Sequence, residues 1–343
     1  MGITNQEYFY LFLASFVLVG FLTPLMRRIA IAKNVVDRPN SAHKSHKKSV
    51  PYLGGAAIII GITIITFSVL FLRHSILSHY SLALSILGPA VLLGLVGLID
   101  DIRNLSPWPR FLAQSIAALF TTILLIVNNN FGNPTGSKLF DALITIVWII
   151  GICNAINFFD NLDGGAASTV AVSSFGLIIL SINSKQYLIT SMSVLLLGSM
   201  MGFLIWNRSP ARIYMGDAGA LFIGFLIAVL SIRLHPVTNS YIGALFVPLL
   251  ILALPILDTT LVVISRLSRN ISPFVGGQDH LSHRLQKYGF AKKTTLTILT
   301  LLSILFTCIA VLISFSNVDE NLLVSVSIIN LLLVFTIFNK MKI

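Results

Sequence analysis

Charged residues are scarce in this sequence, and among them the acidic residues are the scarcest. Lys, Arg, Asp and Glu together make up 10% of the 343 residues, and 12 positions are Asp or Glu. Soluble domains carry about 25% charged residues, so this composition excludes an ordinary soluble globular protein. Cysteine is rarer still, and Cys153 and Cys308 both lie inside apolar segments. The chain therefore has no readable disulfide framework or thiolate metal site.

Long polar stretches are also missing, and hydrophobic residues make up 56% of the chain. Apolar segments of roughly 18–25 residues recur along its length, the number needed to cross about 30 Å of hydrocarbon. Backbone groups in lipid must bond to one another, so each segment is predicted to be a helix. The sequence thus predicts an all-α, polytopic integral membrane protein with one domain, residues 1–343. Its predicted transmembrane helices number eleven, near 7–26, 53–72, 82–99, 110–127, 139–158, 165–182, 186–206, 217–234, 240–264, 294–315 and 321–339.

The net charge of +11 would suit a nucleic-acid partner, but the placement of the cations speaks against one. If the N-terminus lies outside, all but four of the 23 Lys and Arg residues fall in loops or the tail on the inner side. This is the positive-inside pattern, which predicts an outer N-terminus and a cytoplasmic C-terminus. We therefore expect no nucleic-acid binding, and the plain role of most cations is orientation and contact with anionic lipid.

Acidic residues concentrate on one face of the predicted membrane protein. Carboxylates are costly near a bilayer, and those found there usually mark a functional site. Five cytoplasmic loops, 27–52, 100–109, 157–164, 207–217 and 265–293, are therefore predicted to form an active site at the inner membrane. Seven acidic residues lie where predicted spans meet this face: Asp100, Asp101, Asp160, Asp163, Asp217, Asp258 and Asp279.

Asp100 and Asp101 end the third predicted span. Adjacent helix positions point about 100° apart, so the two carboxylates cannot both face one partner squarely. A polar helix end is the simplest interpretation, but acids at a helix C-terminus oppose the helix dipole. The pair therefore favours a site.

Amide and carboxylate side chains recur at the end of the fifth predicted span. Asn154 and Asn157 lie one helical turn apart and Asp160 follows three residues later, so the three can line one helix face with oxygen ligands. Asp163 follows in a Gly-rich run that also resembles an ordinary turn. Three amides and two carboxylates between Asn154 and Asp163 favour a ligand site over a turn alone.

Asp217 opens the eighth predicted span. Its simplest role is to cap the helix N-terminus, which Asp does well, and this role is compatible with binding a metal ion. The flanking Gly216 and Gly219 would let a phosphate or an ion approach the backbone and the positive end of the helix.

The loop after the ninth predicted span contains His280, His283 and Arg284. Residues spaced i, i+3 and i+4 can share one face of a helix. Zinc binding lacks a visible third ligand, so contact with phosphate or sugar is favoured, and histidines without a role remain an alternative. Arg266 at the start of this loop, and Lys44 in the first basic loop, are further candidates for holding an anionic substrate.

Together these motifs resemble the polyprenyl-phosphate N-acetylhexosamine-1-phosphate transferases of the glycosyltransferase family 4 type. The resemblance covers residues from about 37 to 290 and includes the order, spacing and cytoplasmic placement of the motifs. It fits the undecaprenyl-phosphate N-acetylglucosamine-1-phosphate branch, which begins teichoic acid, O-antigen and related glycans. The matching residues are Asp100-Asp101, Asn157 with Asp160–Gly164, Met215–Gly219 and the His280/His283 loop.

The resemblance implies an enzyme that transfers a sugar 1-phosphate from a UDP-sugar to a polyprenyl phosphate and releases UMP. N-acetylglucosamine 1-phosphate is the expected group, with Mg²⁺ as cofactor and Mn²⁺ as its substitute. Catalytic roles are implied for Asp100, Asp101, Asp160 and Asp217, with Asp217 and Asn157 holding the metal. Substrate contacts are assigned to Lys44, Asn154, Asp163, Arg266, His280, His283 and Arg284.

The sequence departs from this family pattern in one place. Relatives often carry a tighter His-x-His-His cluster, whereas Leu281 and Ser282 separate His280 from His283 here. The identity of the sugar is therefore left open, although the missing run of consecutive histidines argues against a muramoyl-pentapeptide substrate. Asp258 and Asp279 receive no role, and the oligomeric state is open between monomer and homodimer.

Two other classes of protein compete with this interpretation. A secondary transporter of a small charged solute would also have many helices and acidic residues, but its site would lie near the bilayer midplane. A structural or scaffolding membrane protein would leave the polar clusters unexplained.

Overall fold

The computed structural model describes residues 3–37, 49–128, 130, 135–273, 276–316 and 318–341. Over these residues the chain is nearly all helical. The one sheet described is a pair of antiparallel two-residue strands, β1 (Val36–Asp37) and β2 (Val50–Pro51). The helices are α1 Asn5–Ala32, α2 Gly54–Leu72, α3 Leu77–Arg103, α4 Pro107–Val127, α5 Lys138–Phe159, α6 Gly165–Ile182, α7 Tyr187–Asn207, α8 Gly216–Ile232, α9 Tyr241–Ile251, α10 Ala253–Leu267, α11 Leu281–Lys287, α12 Lys292–Phe315 and α13 Glu320–Lys340.

The helices confirm a polytopic integral membrane protein. In the described ranges, nine helices are long and apolar enough to cross a membrane, namely α1 to α7, α12 and α13. The pair α9 and α10 forms a tenth candidate that is bent by 77° at its break. The remaining predicted span corresponds to α8, which has only 17 residues. The count of eleven spans and the orientation of the termini stay predictions.

Helix α8 is the central helix of the bundle, and almost all of its side chains are buried. It packs against α2, α3 and α5. Lipid provides little hydrophobic force between helices, so close packing in membranes depends on small residues. A Cβ on Gly97 of α3 would overlap the backbone of Asp217, and one on Gly55 of α2 would overlap Gly219. These two glycines bring the start of α2 and the end of α3 against the first turn of α8.

A smaller apolar cluster holds the short helix α11 at the same end of the bundle. Leu281 and Leu285 of α11 pack with Phe159 from α5 and Leu261 from α10. Leu299 of α12 and Phe338 of α13 complete the cluster. The loops between α3 and α4, α5 and α6, α7 and α8, and α10 and α12 therefore meet at one end of the molecule.

The contact between Gly97 and the start of α8 can be tested by adding one methyl group. We expect Gly97→Ala to destabilise the protein by about 1–3 kcal/mol, because the new Cβ must displace backbone atoms of α8. Gly88→Ala is the matched control on the same helix, since its Cβ would have no heavy atom within 4 Å. Thermal unfolding of both variants in detergent measures the difference. Equal stability of the two variants would contradict the proposed contact.

Candidate active site

A cavity of about 560 Å³ opens where α3 and α5 end and α8 begins. Six acidic side chains line this cavity. They include Asp37 from β1, and Asp160 and Asp163 from the turn after α5. Most of the candidate residues from the sequence come together here: Asp100, Asp101, Asn157, Asp160, Asp163, Asp217, His280 and His283. These residues are far apart in the sequence, and they meet because α3 and α5 pack against α8 and because α11 packs against the end of α5.

Asp217 lies in the first turn of α8, at the centre of the polar contacts. One carboxylate oxygen accepts a hydrogen bond from the Asn157 amide nitrogen at 2.6 Å. The other accepts from the Arg110 guanidinium at 2.7 Å. The two residues predicted to hold a metal ion are thus direct neighbours, and both present oxygen atoms of the kind that hard cations bind.

Asp101 caps the N-terminus of α8 from the neighbouring helix α3. Its carboxylate accepts the backbone N–H of Asp217 at 2.8 Å and that of Ala218 at 3.1 Å. The first N–H groups of a helix have no partner within the helix, and a negative charge there also matches the helix dipole. Gly216 permits this contact, because a Cβ at that position would overlap the Asp101 carboxylate. Both oxygens of Asp101 therefore hold the first turn of α8.

Arg110, in the first turn of α4, is a site residue that the sequence reasoning missed. Its guanidinium lies 2.7 Å from a carboxylate oxygen of Asp100 and 2.7 Å from one of Asp217. The second oxygen of Asp100 accepts the backbone N–H of Leu105 at 2.5 Å. A signal was present in the sequence: the turn at Pro107 brings the next cation back towards Asp100. This cation offsets the repulsion between two neighbouring carboxylates.

The turn between α5 and α6 is tied to the loop before α8. Asp163 accepts the backbone N–H of Ala211 at 3.1 Å, and the N–H of Gly164 donates to the Asn207 side chain at 3.0 Å. Gly164 has a φ of +76°, a conformation that favours glycine. These bonds hold Asp160 between two fixed loops at the cavity wall.

Burial raises the pKa of the Asp160 carboxyl well above its ordinary value, and the negative charges of Asp217, Asp101 and Asp163 add to the effect. A carboxylic acid in such a place retains its proton at a higher pH than an exposed one. Asp160 is thus a hydrogen-bond donor in its protonated form, whereas Asp101 acts as an acceptor for backbone groups.

His280 and His283 line the cavity with their rings 5.6 Å apart. Burial, together with the neighbouring His280, lowers the pKa of His283 to about 4. His283 is therefore neutral near pH 7 and can bond a substrate only as an uncharged donor or acceptor. In the described part of the chain its Nδ1 has no hydrogen-bond partner.

Arg284 does not reach the cavity, and the expected substrate contact is corrected. Its side chain is 0% exposed and donates to the backbone oxygens of Asp279 at 3.0 Å, Phe338 at 2.9 Å and Met341 at 3.1 Å. The last carbonyls of a helix have no hydrogen-bond donor within the helix, and Arg284 provides that donor for the end of α13. Arg284 therefore anchors the end of α13 to the loop that contains the histidines.

Arg266 is also removed from the substrate-binding candidates, because it is 3% exposed and pairs with Asp279. The two side chains form a two-bond contact at 2.9 and 2.8 Å, and Arg266 also donates to the Pro273 carbonyl at 2.7 Å. Arg269 adds a third bond to Asp279 at 3.0 Å. This buried cluster gives Asp279 a structural role, which is to hold the loop before α11.

Two further candidates lie apart from the cavity or outside the described residues. Asn154 does not line the cavity, and its amide donates to the Gln114 side chain at 2.7 Å and to the Ile150 carbonyl at 2.8 Å. Asn154 lies a helical turn deeper in the bundle than Asn157. The two amides therefore do not bind one ligand together, although they were predicted on the same helix face. Lys44 lies outside the described residues.

Comparisons with known proteins place the chain among membrane sugar-phosphate transferases by sequence. The model of glycosyl transferase family 4 matches residues 83–235, which contain five of the six cavity acids but neither histidine. The chain is 30% identical over 312 residues to a probable undecaprenyl-phosphate N-acetylglucosaminyl 1-phosphate transferase of Bacillus subtilis (strain 168), covering 90% of this chain and 85% of the relative.

Other relatives carry related names. A decaprenyl-phosphate N-acetylglucosaminephosphotransferase of Mycobacterium leprae (strain TN) is 29% identical over 329 residues, covering 88% of this chain and 82% of the relative. A phospho-N-acetylmuramoyl-pentapeptide-transferase of Streptococcus uberis (strain ATCC BAA-854 / 0140J) is 28% identical over 205 residues, covering 55% of this chain and 61% of the relative. Similarity along most of the chain thus extends to the first two relatives.

The different tasks of the cavity acids predict opposite effects on stability. Asp101→Ala should cost about 0.5–2 kcal/mol, because it removes the cap of α8. Asp160→Asn should cost nothing or stabilise the protein near pH 7, since the ionised carboxylate is disfavoured there and the amide carries no charge. Thermal unfolding at pH 7 compares the two. Destabilisation by Asp160→Asn equal to that of Asp101→Ala would contradict these assignments.

Proposed function

The chain belongs to glycosyl transferase family 4, and we propose that it transfers a sugar 1-phosphate from a UDP-sugar to a polyprenyl phosphate. UMP leaves, and the product is a polyprenyl-diphosphate-sugar. N-acetylglucosamine 1-phosphate is the proposed group, as the names of the Bacillus subtilis and Mycobacterium leprae relatives indicate. The observation that carries the proposal is the contact of Asp217 with Asn157 and Arg110 inside an acidic cavity at the end of a membrane bundle.

The position of the cavity suits one substrate from water and one from lipid. Asp100 and Arg110 lie beside large apolar side chains that face outward, including Ile102 and Trp108, which is 72% exposed. A polyprenyl phosphate can keep its tail on this apolar surface while its phosphate meets the polar end. The proposed orientation has the cavity on the cytoplasmic side of the inner membrane, where nucleotide sugars are available. A transporter would instead need its site near the midplane.

The nucleotide is proposed to bind on the side of Asp160 and Asp163. Tyr52 and Tyr214 line the same cavity with their ring centroids 6.2 Å apart and their planes tilted by 50°. Aromatic rings offer a flat surface on which a base can stack. Asp163 is fixed by its bond to the Ala211 backbone, so this wall of the cavity is rigid before substrate binds.

The residues present fit a magnesium ion that is shared with substrate. Among the described residues, no three or more His, Cys, Asp or Glu side chains are grouped as a complete metal site. Mg²⁺ commonly uses one or two carboxylates together with waters and substrate phosphates. Asp217 and Asn157 would hold it, with Mn²⁺ as a substitute, and the bound ion would neutralise charge on the diphosphate.

The remaining chemistry is mainly orientation and charge balance by the chain's own groups. Both substrates are anionic, so Arg110 lies where their repulsion must be offset. A phosphate monoester has a second pKa near 6 and is mostly dianionic at pH 7, so the acceptor needs little help from a base. Asp100 therefore acts by holding Arg110 and not by removing a proton. The bond between sugar and phosphate stays intact, which excludes any need for a glycosidase-type acid pair.

The proposed activity is tested with purified protein, polyprenyl phosphate, Mg²⁺ and a panel of UDP-sugars, with UMP release as the readout. We expect UDP-N-acetylglucosamine to be used, and Asp217→Ala to reduce turnover by at least about 100-fold, because the central carboxylate is lost. Chelation of divalent ions should abolish turnover and added Mg²⁺ should restore it. Gly88→Ala is the control and should keep wild-type activity. Near-normal turnover in Asp217→Ala would defeat the metal assignment.

Arg110 separates a charge effect from a geometric one. Arg110→Ala should lower kcat/KM by about 100-fold, because Asp100 and Asp217 lose their shared cation. Arg110→Lys should recover part of this loss, since lysine keeps the charge but not the planar fork that meets two carboxylates. Steady-state kinetics with both substrates varied provides the measurement. Equal kinetics in the lysine and alanine variants would show that charge at this position is not what matters.

A further inference from the structure

Asp258 in α10 is fully buried, at 0% exposed, and its carboxylate contacts His280, which lines the cavity and directly precedes α11. One oxygen lies 2.8 Å from Nδ1 of His280, and the other accepts the backbone N–H of Leu281 at 2.6 Å. A buried carboxylate is costly unless it is paired. The Asp258 carboxylate is paired with His280, so the function of this pair has to be explained.

The contact determines which nitrogen of His280 meets the cavity. An ionised carboxylate can only accept hydrogen bonds, so Nδ1 must carry a hydrogen. The ring also packs edge-on against Phe158, with centroids 6.1 Å apart, and against His283. With Nδ1 bound and the ring held on its flanks, Nε2 is the nitrogen left for a ligand in the cavity that His280 lines.

We propose that Asp258 is a positioning residue that holds His280 so that the ring, doubly protonated when substrate is bound, donates Nε2–H to an anionic oxygen of the UDP-sugar diphosphate. This inference rests on the proposed function. The Asp258 carboxylate on one side and a substrate phosphate on the other both stabilise a positive ring. Of the neighbouring groups, Asp279 is paired with Arg266 and Arg269, and His283 is neutral near pH 7.

A purely structural role for Asp258 would arise from its bond to Leu281 at the start of α11. Asp258→Asn separates the two roles, because the amide oxygen can still accept the Leu281 N–H. The amide nitrogen then faces Nδ1, and two donors cannot bond to one another. When the amide oxygen stays on the Leu281 N–H, His280 has to move its hydrogen to Nε2 and become neutral, so the charged donor is lost while the start of α11 remains capped.

The test is a double-mutant cycle of Asp258→Asn and His280→Ala, with kcat/KM for UMP release as the readout. We expect Asp258→Asn to lower kcat/KM by about 10- to 100-fold in the wild-type background. In the His280→Ala background it should cause no further loss, because Asp258 acts through His280. The same loss in both backgrounds, or no loss in either, would overturn the proposal. Thr259→Val is the matched control on α10, because the Thr259 hydroxyl has no hydrogen-bond partner among the described residues.

A measurement without activity keeps the proposal distinct from the proposed function. In protein labelled with ¹⁵N-histidine, the His280 resonances are identified by their loss in His280→Ala. We expect a protonated Nδ1 in the wild type and an unprotonated Nδ1 in Asp258→Asn. An unprotonated Nδ1 in the wild type would overturn the role of Asp258. Absence of UMP release by a wild type that shows the expected resonances would instead contradict the proposed function and the substrate half of the inference.

Discussion

The carboxylate of Asp101 accepts the first backbone N–H groups of α8, and the rest of the site depends on this contact. It joins the end of α3 to the start of α8, so that Asp100 and Asp217 lie beside the same cation, Arg110. The approach is close because Gly97 has no side chain to separate the two helices. A burial-driven bundle would align these helices only loosely, whereas a side-chain cap with two hydrogen bonds sets their ends in register.

Charge in the cavity is balanced locally. Six carboxylates around about 560 Å³ would repel one another, and the structure answers this in three ways. Asp101 accepts two backbone N–H groups at a helix terminus, Asp100 and Asp217 share Arg110, and burial raises the pKa of Asp160 and so favours its protonated form. A metal ion brought by anionic substrates would then add positive charge where the Asp217 carboxylate already meets a neutral amide, Asn157. The site is thus prepared for phosphate groups with little rearrangement.

Buried ion pairs behind the cavity hold the loop with the histidines. Arg284 binds the last carbonyls of α13, and Arg266 binds Asp279. Burying an arginine is costly unless its donors are used, and these two form six bonds between them, although Nη2 of Arg284 has no partner among the described residues. Such a frame makes α11 a fixed wall, which is what a residue that orients a substrate phosphate requires.

The amino-acid sequence by itself determined the membrane class, the positions of the helices and five of the six acidic residues that line the cavity, all but Asp37. Apolar length and the rarity of carboxylates are local properties, so they can be read without a fold. The split of the His280–Arg284 cluster could not be read in this way. Equal spacing on one helix face was expected, but His280 lies before α11 in an extended conformation, with φ −68° and ψ 160°. The two histidines consequently face the cavity while Arg284 points to α13.

Only the tertiary structure decided which side chains pair with one another. Arg110 looked like one more cation of the inner face, because its role depends on the turn that brings α4 back beside α3. Asp258 had no role in the sequence, because its partner is 22 residues away and meets it only through the packing of α10 and α11. The number of membrane spans also depends on the tertiary structure, because α8 is short for a membrane helix and is enclosed by its neighbours. Composition identifies which residues are costly to bury, but only the packing of helices shows what each of them is paired with.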